Sequence, residues 1–207
     1  STTSKVGLNL SLFLFSLCFT LPLMYGIILP YWESLPQTRL ISSLPASLSF
    51  ITSFLLLDVF LYWQHRLFHK LGPFWRFHRV HHSDEGLNWS SGLRFHPGEL
   101  SLSLLFKSSW CLLWGIPLSF WLIYEGVLNS VSLIHHTNMK WPIIVERLAQ
   151  NVFVTPAYHS THHDKRRAYH QSNYASVFVW WDNLFKTRTS LSQKALENQN
   201  QGLEHHH

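Results

Sequence analysis

Long uncharged segments dominate the first third of the chain. No charged residue occurs over residues 6–32, and a second uncharged run covers residues 40–57. A membrane-spanning helix needs about 20 predominantly apolar residues. The pattern therefore predicts one membrane helix over residues 6–31 and a second helix that runs from about Ile41 past Trp63 and out of the bilayer.

Two further apolar segments lie between Glu99 and His136 and are separated near residues 115–117. A helix of ~16 residues rises only ~24 Å, so we expect a hairpin too short to cross the bilayer fully. Lys107 and Glu125 interrupt the two arms at matching depth, where an ion pair would lower the cost of burying each charge. The alternative is that one of these charges lines a substrate cavity or reaches the membrane surface.

The expected fold is an all-α integral membrane protein with about four membrane-embedded helices and a cytoplasmic helical cap. Only 13% of the residues are charged and 46% are hydrophobic, whereas soluble domains average about 25% charged residues. A soluble protein with buried helices is the alternative. Residues 1–188 are expected to form one membrane-embedded domain, residues 189–202 a polar tail, and residues 203–207 a purification-tag remnant.

Positive charge indicates the orientation of this domain. If the four segments enter and leave as hairpins, both termini and all histidine clusters lie on one side of the membrane. The basic residues of that side are Arg66, Lys70, Arg76, Arg79, Arg94, Lys140, Arg147, Lys165, Arg166 and Arg167. The opposite side offers Arg39, so the positive-inside rule places the histidines in the cytoplasm. The formal charge of +5 follows from this topology, and no aromatic-basic motif supports binding of nucleic acid.

Three histidine clusters are the strongest chemical signal in the sequence. Residues 65–69 read His-x-x-x-His, and residues 78–82 and 159–163 both read His-x-x-His-His. Residues three and four apart share a face of a helix, so each cluster can aim two or three imidazoles at one point. Imidazole is the commonest metal ligand among side chains. A lone histidine is more often a hydrogen-bonded core residue, but the repeated spacing favours a site for two metal ions.

The surroundings of these clusters favour iron and O₂. Few carboxylates lie near them, unlike the glutamate-rich di-iron bundles, and an all-imidazole shell favours a borderline ion such as iron, with zinc as a substitute after expression. A centre where helices leave the membrane would meet an alkyl chain or ring from the lipid, and attack on its C–H bonds requires O₂. Asp58 shares a helical stripe with His65 and is expected either to orient an imidazole or to lie at the membrane interface.

Further motifs accompany the histidine clusters in a fixed order. They are Arg94-Phe95-His96-Pro97, His136-Thr137-Asn138, Asn173-Tyr174 and Trp181-Asp182-x-Leu184-Phe185-x-Thr187. Together with the clusters, over about residues 55–188, they resemble the fatty acid hydroxylase/sterol desaturase superfamily. The resemblance implies a membrane-embedded di-iron enzyme that uses O₂ and two electrons to hydroxylate or desaturate a lipid, such as a fatty acyl chain, sterol or carotenoid. It implies as metal ligands His65, His69, His78, His81, His82, His136, His159, His162 and His163.

Other candidate site residues follow from the same resemblance. His96 is a candidate tenth ligand, with the alternative that it only precedes a helix that starts at Pro97. Asn173 is a candidate for a hydrogen bond near a metal ion, with the alternative that it is a turn residue, and Asp182 is a candidate for a side chain that holds a ligand in place. Some members of the superfamily have His-x-x-x-His where this chain has Ser132 and His136, which leaves one coordination position open.

No flavin, nucleotide or haem motif is visible, so the electrons are expected from a separate protein. The basic run Lys165-Arg166-Arg167 suits an acidic donor such as a cytochrome b5 or a ferredoxin, by electrostatic steering. Two other classes of protein stay open. A membrane cytochrome would bind haem between paired histidines and show its absorption band, and a non-catalytic metal-binding or transport protein would move metal without consuming O₂.

Overall fold

The structure is a computed structural model that describes residues 2–32, 34 and 37–189. Among these residues every regular element is helical, apart from one isolated antiparallel bridge between Phe153 and Phe178. The expected all-α fold is confirmed for this part of the chain. The predicted tag remnant and all but the first residue of the predicted polar tail lie outside the described residues.

The first predicted membrane helix is present. Helix α1 (Thr2–Leu23) continues through a π-helical turn (Met24–Ile28) into α2 (Leu29–Tyr31). The wider turn follows Pro22, where a kink is expected because proline removes a backbone N–H donor. Residues Thr3–Tyr31 form a span of 29 residues, within which an 18-residue window has a mean hydropathy of 2.2. Its exposed apolar side chains include Leu14, Phe15 and Phe19, which suits contact with acyl chains.

The second long helix is α3 (Ala46–Lys70), with 25 residues and an 18-residue window whose mean hydropathy is 1.6. It begins after Pro45, later than the predicted start at Ile41, because proline is suited to the start of a helix and not to its interior. A helix of this length is about 37 Å long, which exceeds the ~30 Å hydrocarbon core of a bilayer. Its last turns carry the first histidine cluster, and α4 (Gly72–His82) carries the second.

Helices α5 (Pro97–Trp114) and α6 (Leu118–His135) form the predicted hairpin. Gly115 makes the turn with φ 67°, and a Cβ at this position would collide with the carbonyl oxygen of Thr38, so glycine is required there. Each arm has 18 residues and is therefore about 27 Å long, slightly less than the hydrocarbon core.

The ion pair expected within this hairpin is confirmed. Lys107 Nζ lies 2.5 Å from Glu125 Oε1, and the Lys107 side chain is only 9% exposed. By length and composition, two spans among the described residues could cross a membrane, namely the α1–α2 helix and α3. Two candidate spans are therefore shown, and the embedding of the α5–α6 hairpin stays a prediction.

Among the described residues, helix α4 and four short helices form a cap over the ends of α3 and α6. The short helices are α7 (Ile143–Ala149), α8 (Pro156–His162), α9 (Arg167–His170) and α10 (Trp180–Leu184). Helix α7 is shorter than the interfacial helix predicted over residues 141–154, because turns follow it and Phe153 pairs with Phe178. Ile144 and Leu148 on α7 are 69% and 66% exposed, which fits a helix that lies against a membrane surface.

Polar contacts fix the first membrane helix to the cap. The side-chain amide of Asn9 donates to Ser90 Oγ at 3.0 Å and to Asp84 Oδ2 at 3.3 Å. Arg94 donates to Asn9 Oδ1 at 2.9 Å and to the carbonyl oxygen of Val80 at 3.0 Å. The carbonyl of Val80 belongs to α4, so this network ties α1 to the helix that carries the second histidine cluster.

Candidate metal centre

Five histidines from three helices converge at one point. His65 and His69 come from α3, His78 and His82 from α4, and His162 from α8. One ring nitrogen of each lies within 4.8 Å of a ring nitrogen of every other member. We call this set the five-histidine group. The ends of three separate helices are needed to build it.

A second set lies beside the first and consists of His81, His136, His159 and His163, all buried. In this four-histidine group the Nε2 atom of His136 is 3.2 Å from that of His81 and 3.1 Å from that of His159, which is 3.1 Å from Nε2 of His163. The rings of His82 and His163 stack at 4.3 Å. The two groups are therefore directly adjacent, because an imidazole of one stacks on an imidazole of the other.

The repeated His-x-x-His-His motif explains why there are two groups. His78 and His82 are four residues apart on α4 and point to the five-histidine group, whereas His81 is turned about the helix axis and points to the other group. In residues 159–163 this division is reversed, since only His162 points to the five-histidine group. Each motif thus supplies ligands on both sides, and the two groups are built together.

The nitrogen positions fit bound metal ions. A metal–imidazole bond is about 2.0–2.1 Å long, so two nitrogens on one ion lie about 2.8–3.4 Å apart at octahedral or tetrahedral angles. The separations of 3.1 and 3.2 Å in the four-histidine group fall in this range. In the five-histidine group the Nε2 atoms of all five members are buried without a hydrogen-bond partner: His65, His69, His78, His82 and His162. Buried polar atoms normally have a partner, and an ion between these rings would supply it.

Backbone carbonyl oxygens hold the opposite ring nitrogens. The Nδ1–H groups of four histidines each donate a hydrogen bond to a backbone oxygen. His65 donates to Tyr174 at 2.9 Å and His81 to Arg94 at 3.2 Å. His136 donates to Ser132 at 2.7 Å and His162 to Ser172 at 2.6 Å. A proton on Nδ1 leaves the lone pair on Nε2, which faces the interior of the group. The carbonyls therefore set the tautomer that a metal ligand needs.

Glu99 is a site residue that the sequence reasoning missed. Its buried carboxylate accepts a hydrogen bond from Nδ1 of His78 at 2.7 Å. A carboxylate in this position orients the imidazole and raises its basicity towards a metal. The available signal was a lone acidic residue in the first turn of an apolar helix, which the helix dipole also favours. Only the structure shows that this turn faces α4.

Burial keeps the imidazoles of the cap neutral. Desolvation, reinforced by neighbouring imidazoles, lowers the pKa of five of them well below the ordinary value of 6.5, namely His81, His82, His159, His162 and His163. Burial also lowers the pKa of His136 to about 4. Metals bind the neutral ring, so these side chains are in the binding form at neutral pH.

Asp58 does not contact an imidazole, and the expectation that it orients one is corrected. Its buried carboxylate accepts hydrogen bonds from Trp181 Nε1 at 2.7 Å, Tyr124 OH at 2.9 Å and the backbone N–H groups of Phe178 and Val177 at 3.1 and 3.2 Å. The C-terminal segment passes directly over this turn of α3 and occupies the carboxylate. Asp58 therefore fastens that segment to the membrane helix.

Asp182 and Asn173 have similar structural roles and do not contact an imidazole. Asp182 accepts hydrogen bonds from the hydroxyl groups of Tyr158 and Thr187 and from the backbone N–H groups of Tyr174 and Ala175. Asn173 adopts φ 55° and binds the backbone of Tyr158 and Thr189. Asn173 is thus the turn residue that was its alternative, and the expectation that Asp182 holds an imidazole is corrected. These side chains instead hold the loop whose carbonyls bind His65 and His162.

His96 lies outside both histidine groups, so the structure does not place it as a tenth ligand. Its Nδ1 accepts a hydrogen bond from the backbone N–H of Gly98 at 3.0 Å and its ring packs on Phe77. His96 is thus the N-cap of α5, which was the alternative given by Pro97. His135 is also outside both groups, although its ring lies 5.7 Å from that of His159.

The basic run at residues 165–167 lies on the cap. Arg166 and Arg167 are exposed, whereas Lys165 is partly buried. Lys165 pairs with Glu85 at 3.5 Å and Arg166 with the buried Asp164 at 2.7 Å. Two of these three positive charges therefore have an acidic neighbour within the chain.

A cavity of about 180 Å³ opens beside the histidines. At one end it reaches five of them, His65, His78, His81, His136 and His159. It extends between α3, α5 and α6 past Phe68, Leu100 and Leu128 to the Lys107–Glu125 pair. Both histidine groups therefore border a space that leads into the helical part of the molecule.

Comparison with known proteins identifies the family. The model of the fatty acid hydroxylase family matches residues 50–187, which includes every residue of both histidine groups. The chain belongs to the fatty acid hydroxylase family. This result confirms the superfamily resemblance found in the motifs, and the match begins within α3 and ends after α10.

Relatives of known name share the same region. The chain is 29% identical over 150 residues to human alkylglycerol monooxygenase, covering 70% of this chain and 32% of that protein. It is 30% identical over 143 residues to ornithine lipid hydroxylase OlsE of Rhizobium tropici, covering 69% and 42%. It is 29% identical over 149 residues to C-4 methylsterol oxidase erg25 of Schizosaccharomyces pombe, covering 68% and 47%. The chain thus spans between about a third and a half of these relatives. No solved structure matches.

Proposed function

We propose that this protein is a membrane-bound di-iron oxygenase that hydroxylates or desaturates a lipid substrate, such as a fatty acyl chain, sterol or carotenoid. The observation that carries the proposal is two adjacent groups of buried imidazoles that border a cavity between apolar helices. The names of the relatives, a monooxygenase, a lipid hydroxylase and a methylsterol oxidase, support it. Each group would hold one iron ion, with zinc as a substitute in a recombinant sample.

In hydroxylation, bound iron would supply the chemistry by which R–H, O₂, two electrons and two protons give R–OH and water. The protein supplies position and environment. Carbonyl oxygens and Glu99 hold the outer ring nitrogens, so the inner nitrogens need no rearrangement when an ion binds. The narrow cavity would hold a lipid C–H bond beside the histidines and exclude bulk water.

We infer an orientation with the histidine groups on the cytoplasmic side and about four membrane-embedded helices. The exposed side chains of α1 and the length of α3 support two of these helices. For the α5–α6 hairpin, the support is its apolar composition and its ion pair. The exposed basic residues of the cap, including Arg76, Arg79, Arg166 and Arg167, support the cytoplasmic side by the positive-inside rule.

The electrons would come from an acidic donor protein of the cytochrome b5 or ferredoxin type. The exposed Arg166 and Arg167 on the cap support docking of such a protein near the histidine groups. Lys165 contributes less to this surface than the sequence suggests, because Glu85 lies 3.5 Å from its ammonium group.

Lipid mass spectrometry of cells with and without the protein tests the proposed function. We expect a lipid that gains one oxygen atom or loses two hydrogens, and we expect the change to vanish in His162→Ala. His96→Ala is the matched control, because His96 lies outside both groups, and it should retain the product. Unchanged lipids together with metal flux in liposomes would favour a transport protein instead, and a haem absorption band would favour a cytochrome.

A further inference from the structure

A strip of polar side chains lines the cavity and extends from the histidines towards the helical hairpin. It consists of Gln64 on α3, Ser103 and Lys107 on α5, and Glu125 and Asn129 on α6. Gln64 is adjacent to His65, and Lys107 lies eight residues after Glu99, a rise of about 12 Å along α5. The strip therefore begins at the metal centre and continues into the helical hairpin. Polar groups in such surroundings are costly, which calls for a reason beyond packing.

The Lys107–Glu125 pair has hydrogen-bonding capacity that its contacts do not use. Lys107 Nζ and Trp121 Nε1 both donate to the same oxygen, Oε1 of Glu125, at 2.5 and 2.9 Å. An ammonium group has three donors and a carboxylate has two acceptor oxygens. The pair can therefore still donate to a ligand through Lys107 and accept from it through Oε2 of Glu125.

Gln64 gives an independent indication of the same kind. Its Nε2 donates to Ser103 Oγ at 2.8 Å, but its Oε1 is buried without a hydrogen-bond partner. An unpaired buried acceptor costs about 1–3 kcal/mol. Since this side chain lines the cavity, a donor on a bound molecule would satisfy the oxygen. Both observations call for a ligand that offers hydrogen bonds.

We propose that this strip binds an uncharged hydrogen-bonding group of the lipid, such as a hydroxyl or an amide, and so selects the substrate. A hydroxyl both donates and accepts, so it would donate its one hydrogen to Gln64 or to Glu125 and accept from Lys107. A bare hydrocarbon would bury these groups without compensation. An anionic head group would compete with Glu125 for Lys107, and the paired charges offer it no net attraction. The proposal rests on the proposed function only in that the ligand is taken as the substrate.

Lipid retention by the metal-loaded protein tests the proposal without turnover. The protein is reconstituted anaerobically in phosphatidylcholine nanodiscs that contain equal mole fractions of hexadecan-1-ol, hexadecane and hexadecyl sulfate. Lipids retained by the extracted protein are then measured by mass spectrometry relative to empty nanodiscs. Two net hydrogen bonds correspond to about a tenfold preference, so hexadecanol should be retained about tenfold over the other two probes.

Variants locate the preference within the strip. The double variant Lys107→Met/Glu125→Leu should lower the preference for hexadecanol about threefold, because the acceptor of Gln64 remains, and Gln64→Leu should also lower it about threefold. Ser109→Ala/Ser130→Ala, at exposed positions of the same helices, is the control and should keep the full preference. If the double variant fails to fold, Gln64→Leu still decides the matter.

Two results would overturn the inference. One is hexadecyl sulfate or hexadecane retained as well as hexadecanol, and the other is a preference that survives both the double variant and Gln64→Leu. Either result leaves the proposed oxygenase standing if a lipid is still oxidised in cells. Conversely, selective retention of hexadecanol by a protein that oxidises no lipid would leave the binding site standing and remove the proposed function.

Discussion

At the scale of single residues, the centre depends on what holds the outer nitrogen of each imidazole. For four histidines the partner is a backbone carbonyl, which no side-chain substitution removes. His78 differs because its partner is the carboxylate of Glu99. This contact is therefore the place where the orientation of a ligand can be changed without touching the ligand itself.

Glu99→Gln should weaken metal binding while the fold is retained. The amide can still accept a hydrogen bond, but it lacks the negative charge that makes His78 a more basic ligand. Changes at such positions typically cost 10–100-fold in metal affinity. Competition with a chelator measures the loss, with Glu146→Gln, a buried glutamate of α7, as a comparison. An affinity equal to that of the unchanged protein would contradict the role given to Glu99.

The lowered pKa values predict that the metal-free protein loses stability as pH falls below neutrality. Burial lowers the pKa of His136 to about 4, whereas in the unfolded chain it returns to about 6.5. Between pH 7 and pH 5 only the unfolded state takes up the proton, which costs about 2 kcal/mol of stability per histidine of this kind. Thermal unfolding in a neutral detergent should show a lower Tm at pH 5 than at pH 7. An equal or higher Tm at pH 5 would contradict the buried, neutral histidines.

At the scale of elements, the α5–α6 hairpin contains an ion pair in which Lys107 is buried and Glu125 is partly exposed. Removing one partner leaves an uncompensated charge, which costs about 3–5 kcal/mol in a fully buried pair and less here, whereas replacing both by apolar groups is often close to neutral. Glu125→Gln should therefore destabilise the protein more than Lys107→Met/Glu125→Leu does. Thermal unfolding of both variants measures the difference. A single variant no less stable than the double variant would show that the pair does not stabilise the hairpin.

Features set by local periodicity could be predicted from the sequence. The two long apolar helices, the turn of the hairpin and the facing of Lys107 and Glu125 follow from charge-free runs and helix geometry. The histidine clusters were equally visible, because the spacing of three and four fixes a shared helix face. The division of each His-x-x-His-His motif between two groups was not foreseen, since it depends on how α4 and α8 face each other.

Features set by contacts between distant segments could not be predicted. Asp58 was expected either to face an imidazole or to lie at the membrane interface, but three of its four partners lie more than a hundred residues away in the C-terminal segment. Glu99 served only as the boundary of an apolar segment, because nothing in the sequence shows that it meets His78. Carbonyl partners such as those of Tyr174 and Ser172 carry no side-chain signal at all.

At the scale of the whole molecule, the candidate metal centre lies between the long apolar helices and a basic cap. The cap presents exposed arginines such as Arg166 and Arg167 close to the histidines. An acidic electron donor would be attracted to this surface over distances comparable to the Debye length, which is about 10 Å at 0.1 M salt. Electrostatic docking of this kind makes the reaction rate depend on salt concentration.

Turnover with a reduced acidic donor should slow as ionic strength rises. Arg166→Gln/Arg167→Gln should lower kcat/KM for the donor and flatten the salt dependence, while Arg39→Gln, on the predicted opposite side, should change neither. Steady-state rates between 0.02 and 0.5 M salt would show both effects, a range that spans most of the change in screening. Rates that do not respond to salt would argue against this docking surface.

The most direct test of the account is the iron content of the purified protein and of three histidine variants, measured by elemental analysis after anaerobic loading. The account predicts two irons per chain, about one in both His136→Ala and His162→Ala because each variant disrupts one group, and two in His96→Ala. Less than one iron per chain in the unchanged protein, or an unchanged content in His136→Ala and His162→Ala, would contradict it.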